Sequence, residues 1–144
     1  MTIEFTKSHG AGNDFVLIED LDDRLGLLDP KLVAALCDRH QGVGADGLIR
    51  IAPSTTSDFF MDYYNADGGV AEMCGNGIRC LAKYVSDRRL ATGDRMRVDT
   101  RAGSRIWCCI GAPTVWWIGC ASTWALRSSS ATGSRSRDRA TRST

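Results

Sequence analysis

Cys74 stands immediately before Gly75-Asn76-Gly77, and after these residues Ile78, Leu81, Ala82 and Val85 recur at i, i+3, i+4 and i+7. That spacing marks one face of a helix. A cysteine at a helix's first turn faces backbone N–H groups without intrahelical acceptors and the positive end of the helix dipole, which together favour thiolate over thiol. The same N–H groups can hold a carboxylate. Gly75 and Gly77 let a ligand approach the backbone, a provision that packing a buried cysteine does not need. A thiolate beside a carboxylate cradle points to chemistry at the α-carbon of an amino or keto acid.

Two asparagines stand where such a ligand could be held. Asn13 follows His9-Gly10-Ala11-Gly12, and Asn65 follows the aromatic run Phe59 to Tyr64. Each reads equally as a turn residue tolerant of left-handed geometry and as an amide that offers donor and acceptor to an amino acid without adding charge.

Three segments resemble the diaminopimelate epimerase family: Lys7 to Val16, Asp38 to Ile49, and Tyr64 to Cys80. They occur in the family's order and cover roughly residues 1–103. The resemblance implies a cofactor-independent isomerase that converts LL-2,6-diaminopimelate to the meso form in lysine and peptidoglycan biosynthesis. It implies Cys74 as a catalytic acid/base, with Asn13, Asn65, Gly75 and Asn76 binding substrate. In the family, two pseudo-symmetric domains each bring one cysteine and the substrate lies between them, so this chain offers the first half-site and is expected to be inactive alone. A homodimer is a further expectation for the full-length family. Inversion without a cofactor needs a base on one face of the α-carbon and an acid on the other, and thiols serve as both near neutrality. The alternatives are a proline or hydroxyproline racemase and, outside enzymes, a non-catalytic remnant.

The elements that must carry these residues follow from periodicity. Ile3–Lys7 alternates as a strand, a Gly-rich bend spans His9–Asn13, and Asp14–Glu19 is a more buried strand. Asp29-Pro30 opens a helix to Arg39, with Asp as N-cap and Pro at the first helical position. Strands are predicted over 48–51, 58–64 and 95–100, a turn over 65–68, and the Cys74 helix to about Arg89. Strands and two helices in mixed order predict an α+β fold. The resemblance adds a curved mixed sheet, or barrel, around a central helix.

Other motifs read as structure. Gly42-Val43-Gly44-Ala45-Asp46-Gly47 has the letters G-x-G-x-x-G, but a dinucleotide loop needs a strand before it and a helix after, and here the order is reversed. Cys37 and Cys80 lie on apolar helix faces and are assigned to the core. His9 receives no proton-transfer role, and Asp67 and Glu72 read as turn and strand-end carboxylates. With two histidines and no C-x-x-C pair, no metal site assembles.

Composition divides the chain. Residues 1–103 hold 12 basic and 16 acidic side chains, whereas residues 104–144 hold six arginines, one acid (Asp138) and all four tryptophans. Nineteen of those last 41 residues are Ser, Thr or Arg. One reading is a basic disordered tail that binds a partner. The other is translation in a wrong frame, favoured because the family pattern stops abruptly, and under it Cys108, Cys109 and Cys120 have no role. No apolar run approaches the roughly 20 residues of a membrane span, and Met1–Phe5 lacks signal-peptide character. A cytoplasmic protein without a nucleic-acid or membrane partner is the expectation.

Overall fold

The computed structural model describes residues 2–103, 105–109 and 117–120. The other positions of the Ser/Thr/Arg-rich tail, and with them the expectation of disorder, lie outside the described residues. Eight strands and two helices are described: β1 (Thr6–Gly10), β2 (Asn13–Glu19), α1 (Pro30–Cys37), β3 (Gly47–Ala52), β4 (Phe59–Asn65), β5 (Val70–Ala71), α2 (Gly75–Asp87), β6 (Arg95–Thr100), β7 (Arg105–Cys109) and β8 (Trp117–Cys120). One mixed sheet runs β1-β2-β3-β4-β6-β7-β8, with β5 paired on β4. The β2/β3 and β4/β6 pairs are parallel and the others antiparallel.

Side-chain alternation along three strands explains why both sheet faces are covered. Phe15 and Leu17 of β2, Ile49 and Ile51 of β3, and Phe59, Met61 and Tyr63 of β4 pack with Ile78, Leu81, Ala82 and Val85 of α2. The intervening Val16, Ile18, Leu48 and Tyr64 pack with Val33 and Cys37 of α1. The apolar stripe read from the sequence is thus the buried face of α2, and the fold is α+β with a mixed sheet, as expected.

The boundaries differ in places, each with a local cause. The first strand is Thr6–Gly10 rather than Ile3–Lys7, and the loop shrinks from His9–Asn13 to Ala11 and Gly12. Gly10 pairs with Asn13, and both loop residues have positive φ, 54° and 84°, as a type I′ hairpin turn requires. Helix α1 stops at Cys37 rather than Arg39, because the Asp38 carboxylate accepts from the His40 and Gln41 amides at 2.7 and 2.8 Å and closes a turn. Asn65 both closes β4 and opens the expected turn, its carbonyl accepting from the Gly68 amide. Past Gly103, β7 continues the sheet against β6 in antiparallel register.

Beneath the α1 face lies a buried ion cluster. Arg50 reaches Asp20 at 2.7 Å, Asp23 at 2.8 Å and Asp62 at 3.0 Å. Asp62 also accepts from the Tyr64 hydroxyl at 2.9 Å and from Arg101. Burial alone would weaken the guanidinium's hold on its proton, but the three carboxylates more than offset that and raise its pKa.

Candidate active site

The chain delivers Cys74 to one end of the sheet through a tight hairpin. The Asn65 amide donates to the Gly69 carbonyl at 2.8 Å, and the Gly68 amide donates to the Asn65 carbonyl at 2.9 Å. The Asp67 carboxylate accepts from the Gly69 amide at 2.8 Å, a turn role as expected. Val70 and Ala71 then pair with Tyr64 and Tyr63. A few residues on, Cys74 is the N-cap of α2, in extended backbone with φ −138° and ψ 122°. Its carbonyl accepts from the Ile78 amide at 3.0 Å.

No side chain caps this 13-residue helix, and the amides of Gly75, Asn76 and Gly77 have no acceptor within it. Gly77 is a glycine because the helix is seated hard on the sheet. A Cβ there would stand 2.8 Å from Ile49 Cδ1 and 3.4 Å from Cys74 Cβ.

Asn13 connects this helix start to β2. Its Oδ1 faces both Asn76 Nδ2, at 3.5 Å, and Cys74 Sγ, at 3.8 Å. Its Nδ2 donates to Asp46 at 2.7 Å. Asp46 is fixed in turn, because Asp14 and Asp46 each accept the other's backbone amide, at 3.0 and 3.1 Å. Arg39 spans the two carboxylates, 2.8 Å from Asp14 and 2.9 Å from Asp46, and Lys7 reaches Asp14 at 2.9 Å. The Arg39 guanidinium, with help from Lys7, holds the Asp14 carboxyl far below the usual carboxylate range. The amide of Asn13 is therefore oriented from behind by a charged network, oxygen toward the sulfur and nitrogen away from it.

Asn65 is exposed at the end of β4, in register with Gly47. It shares the sheet end with Asn13 and α2 without a hydrogen bond joining its side chain to them. Cys37 and Cys80 are both buried, Cys37 in the cluster on the opposite sheet face and Cys80 within α2's own cluster. His9 is exposed on β1. The glycine segment 42–47 leaves α1 and enters β3. The amides of Val43 and Gly44 return to the Leu36 carbonyl at 2.9 and 3.1 Å, closing the end of α1 rather than a phosphate loop.

Five side chains of this corner were not singled out from the sequence: Lys7, Asp14, Arg39, Asp46 and Tyr63. The first four lie within the quoted segments, where charged residues flanking glycines were an available signal. Tyr63 follows Phe59 and Met61 at strand spacing, which places it on the α2 face. Burial pushes its phenol up to about 12, and the neighbouring Cys74 sulfur adds to this both as a charge and as a hydrogen-bonding group.

A half-buried thiol, an uncapped helix N-terminus and two amides thus share one sheet end, an arrangement with the donors a small carboxylate needs and a sulfur close to them. The sequence model of the diaminopimelate epimerase family matches residues 5–110. The chain belongs to that family.

Among its relatives, the diaminopimelate epimerase of Pelotomaculum thermopropionicum is 50% identical over 105 residues, covering 72% of this chain and 38% of the relative. That of Agathobacter rectalis is 52% identical over 102 residues, covering 70% and 35%. That of Rhodococcus erythropolis is 44% identical over 120 residues, covering 72% and 41%. The chain thus spans between 35% and 41% of the length of these curated epimerases. Among solved structures, a methylitaconate-delta-isomerase superposes with TM-score 0.61 at 15% identity, covering 79% of this chain and 36% of that one. A Bacillus anthracis protein of the PhzF family does so with TM-score 0.54 at 21% identity, covering 76% and 34%. These two likenesses are of fold. Among the described residues, no helix is long and apolar enough to cross a membrane, and no group of three or more His, Cys, Asp or Glu could hold a metal ion.

Proposed function

We propose that this chain supplies one half-site of a diaminopimelate epimerase and that Cys74 exchanges the α-proton on one face of the substrate. In the forward sense the Cys74 thiolate takes the proton, so that the Cα–H bond breaks and S–H forms. The electron pair left on Cα delocalises into the carboxylate, and an acid on the opposite face returns a proton. In the reverse sense the Cys74 thiol is the acid. The substrate carboxylate lies on the free amides of Gly75 and Asn76, where each well-placed donor contributes about 3 kcal/mol to stabilising the developing charge. Asn13 and Asn65 position the amino acid and carry no proton.

The observation that carries this reading is Cys74 at the uncapped start of α2, its sulfur 3.8 Å from an oriented amide oxygen. Neither buried thiol can serve as the opposite acid, because Cys37 lies across the sheet and Cys80 within the core. Family membership implies that the second acid is a cysteine of the second domain, in the portion of the relatives' length that this chain does not span. Alone, the chain presents an open half-site where water screens every charge, and it epimerises slowly or not at all.

The test uses two proteins, the 144-residue chain and a chimera joining residues 1–103 to the C-terminal portion of the P. thermopropionicum relative. Conversion of LL-diaminopimelate is followed by chiral separation, and α-deuterium incorporation by mass spectrometry. The chimera should epimerise, Cys74→Ala should abolish turnover with the fold intact, and the chain alone should be at least tenfold slower. Near-normal turnover in the Cys74→Ala chimera overturns the assignment.

A further inference from the structure

Tyr63 is a buried polar group, in the cluster against which Cys74 packs, that the reaction outlined above leaves unused. Its side chain is 8% exposed and packs edge-on against Phe15, ring centres 5.9 Å apart. The ring lies directly over Gly47. A Cβ at position 47 would meet Tyr63 Cε2 at 2.7 Å and the hydroxyl at 3.2 Å, with the Tyr64 carbonyl also at 2.7 Å. Only glycine leaves the phenol its place. The backbone of Tyr63 pairs with Ala71, so β5 ties the segment leading into Cys74 to the strand that carries the phenol. Cys74 packs against the same cluster that contains Tyr63. Asn13 meets the sulfur with an oxygen rather than a donor.

We propose that Tyr63 is a positioning residue for Cys74: its phenol O–H, seated over Gly47, donates to the sulfur and holds the thiolate beside the open N-terminus of α2. The role rests on the reading of Cys74 as the proton-exchanging group. The donor assignment is the chemically sound direction, because a phenol held protonated by burial and by the adjacent sulfur gives its proton to the bond and keeps it. A thiolate receives its strongest hydrogen bonds from such donors. The charged and titratable groups that act on this pair from the surrounding elements are Asp46 ahead of β3, Cys37 from α1 and Cys80 from α2. None of them is a hydrogen-bond donor of comparable strength.

The test needs no substrate, so its failure is distinct from failure of the epimerase reading. Alkylation of Cys74 by iodoacetamide is followed against pH in the 144-residue chain, with peptide mass spectrometry separating Cys74 from the other cysteines. Tyr63→Phe keeps the ring and removes the donor. It should slow alkylation at pH 7 about tenfold and move the midpoint of the pH profile up by about one unit, a difference of about 1.4 kcal/mol. Tyr84→Phe, whose hydroxyl instead bonds Glu19 at 2.9 Å, should change neither quantity. Profiles that coincide for Tyr63→Phe and the unmodified chain overturn the proposal. Should Tyr63→Phe fail to fold, the unmodified chain labelled at tyrosine Cζ decides the matter by carbon NMR. The Tyr63 resonance should then move with the midpoint of the alkylation profile, and a resonance flat through that midpoint overturns the proposal equally.

Discussion

Replacing Arg50 by Met should be among the most damaging single changes in this domain, and the cause lies in what it leaves behind. The Arg50 side chain is 7% exposed, and two of its partners, Asp62 and Asp20, are 1% and 5% exposed. Methionine fills much of the stem's volume, so the packing loss is small. Two buried carboxylates, however, lose their shared cation. Asp20 keeps the amides of Arg24 and Leu25, at 2.9 and 3.1 Å, and Asp62 keeps the Tyr64 hydroxyl and Arg101. These partners soften the loss without cancelling it. Breaking a buried pair on one side costs about 3–5 kcal/mol, against a total stability of about 5–15 kcal/mol for a domain of this size. With a urea slope of about 1.5 kcal/mol per molar, the midpoint should fall by ~2–3 M. A loss under about 1 kcal/mol refutes the reasoning.

Two further outcomes are expected. Asn13→Ala, which removes an amide held by Asp46 and facing the sulfur, should lower kcat/KM of the chimera roughly 10- to 100-fold without moving its pH profile, and Asn65→Ala should act in the same direction; a displaced pH optimum in either would show that the amides do more than position. Because the folded Asp14 carboxyl is depressed, mainly by Arg39, its stabilising contribution is complete above the unfolded value of about 3.9 and is lost as pH falls below it. The gap in Tm between the unmodified chain and Asp14→Asn should therefore begin to narrow as pH falls below about 4 and go on narrowing toward the depressed folded value, and should shrink in high salt because Arg39 is exposed.

What could be read from the residues beforehand was whatever repeats with a period. The stripe Ile78, Leu81, Ala82 and Val85 foretold α2 and its buried face, and the glycines after Cys74 foretold an open helix start. Asp29-Pro30 foretold the first helix, whose cap the Asp29 carboxylate makes on the Lys31 amide at 2.8 Å. Strand ends were less legible, since they depend on pairing. Thr6–Gly10 is a strand because Asn13–Glu19 lies beside it and a two-residue turn permits that register, and no periodicity within Ile3–Lys7 carries this information. Side chains whose purpose is to orient another side chain were the least legible. Arg39 meets Asp14 only after α1 has ended and the glycine segment has folded back, and it has no local partner to announce it. Tyr63 illustrates the same limit from inside the core. Strand spacing places it on the α2 face, where a phenylalanine would read identically. Its hydroxyl gains meaning only from Gly47, which lies opposite Asn65 on the neighbouring strand, and from the bond to the Cys74 sulfur proposed above. The framework of the proposed half-site was therefore visible where the chain carries it in one run, from Cys74 to Gly77. It was hidden where three strands and a helix had to converge before two atoms could meet.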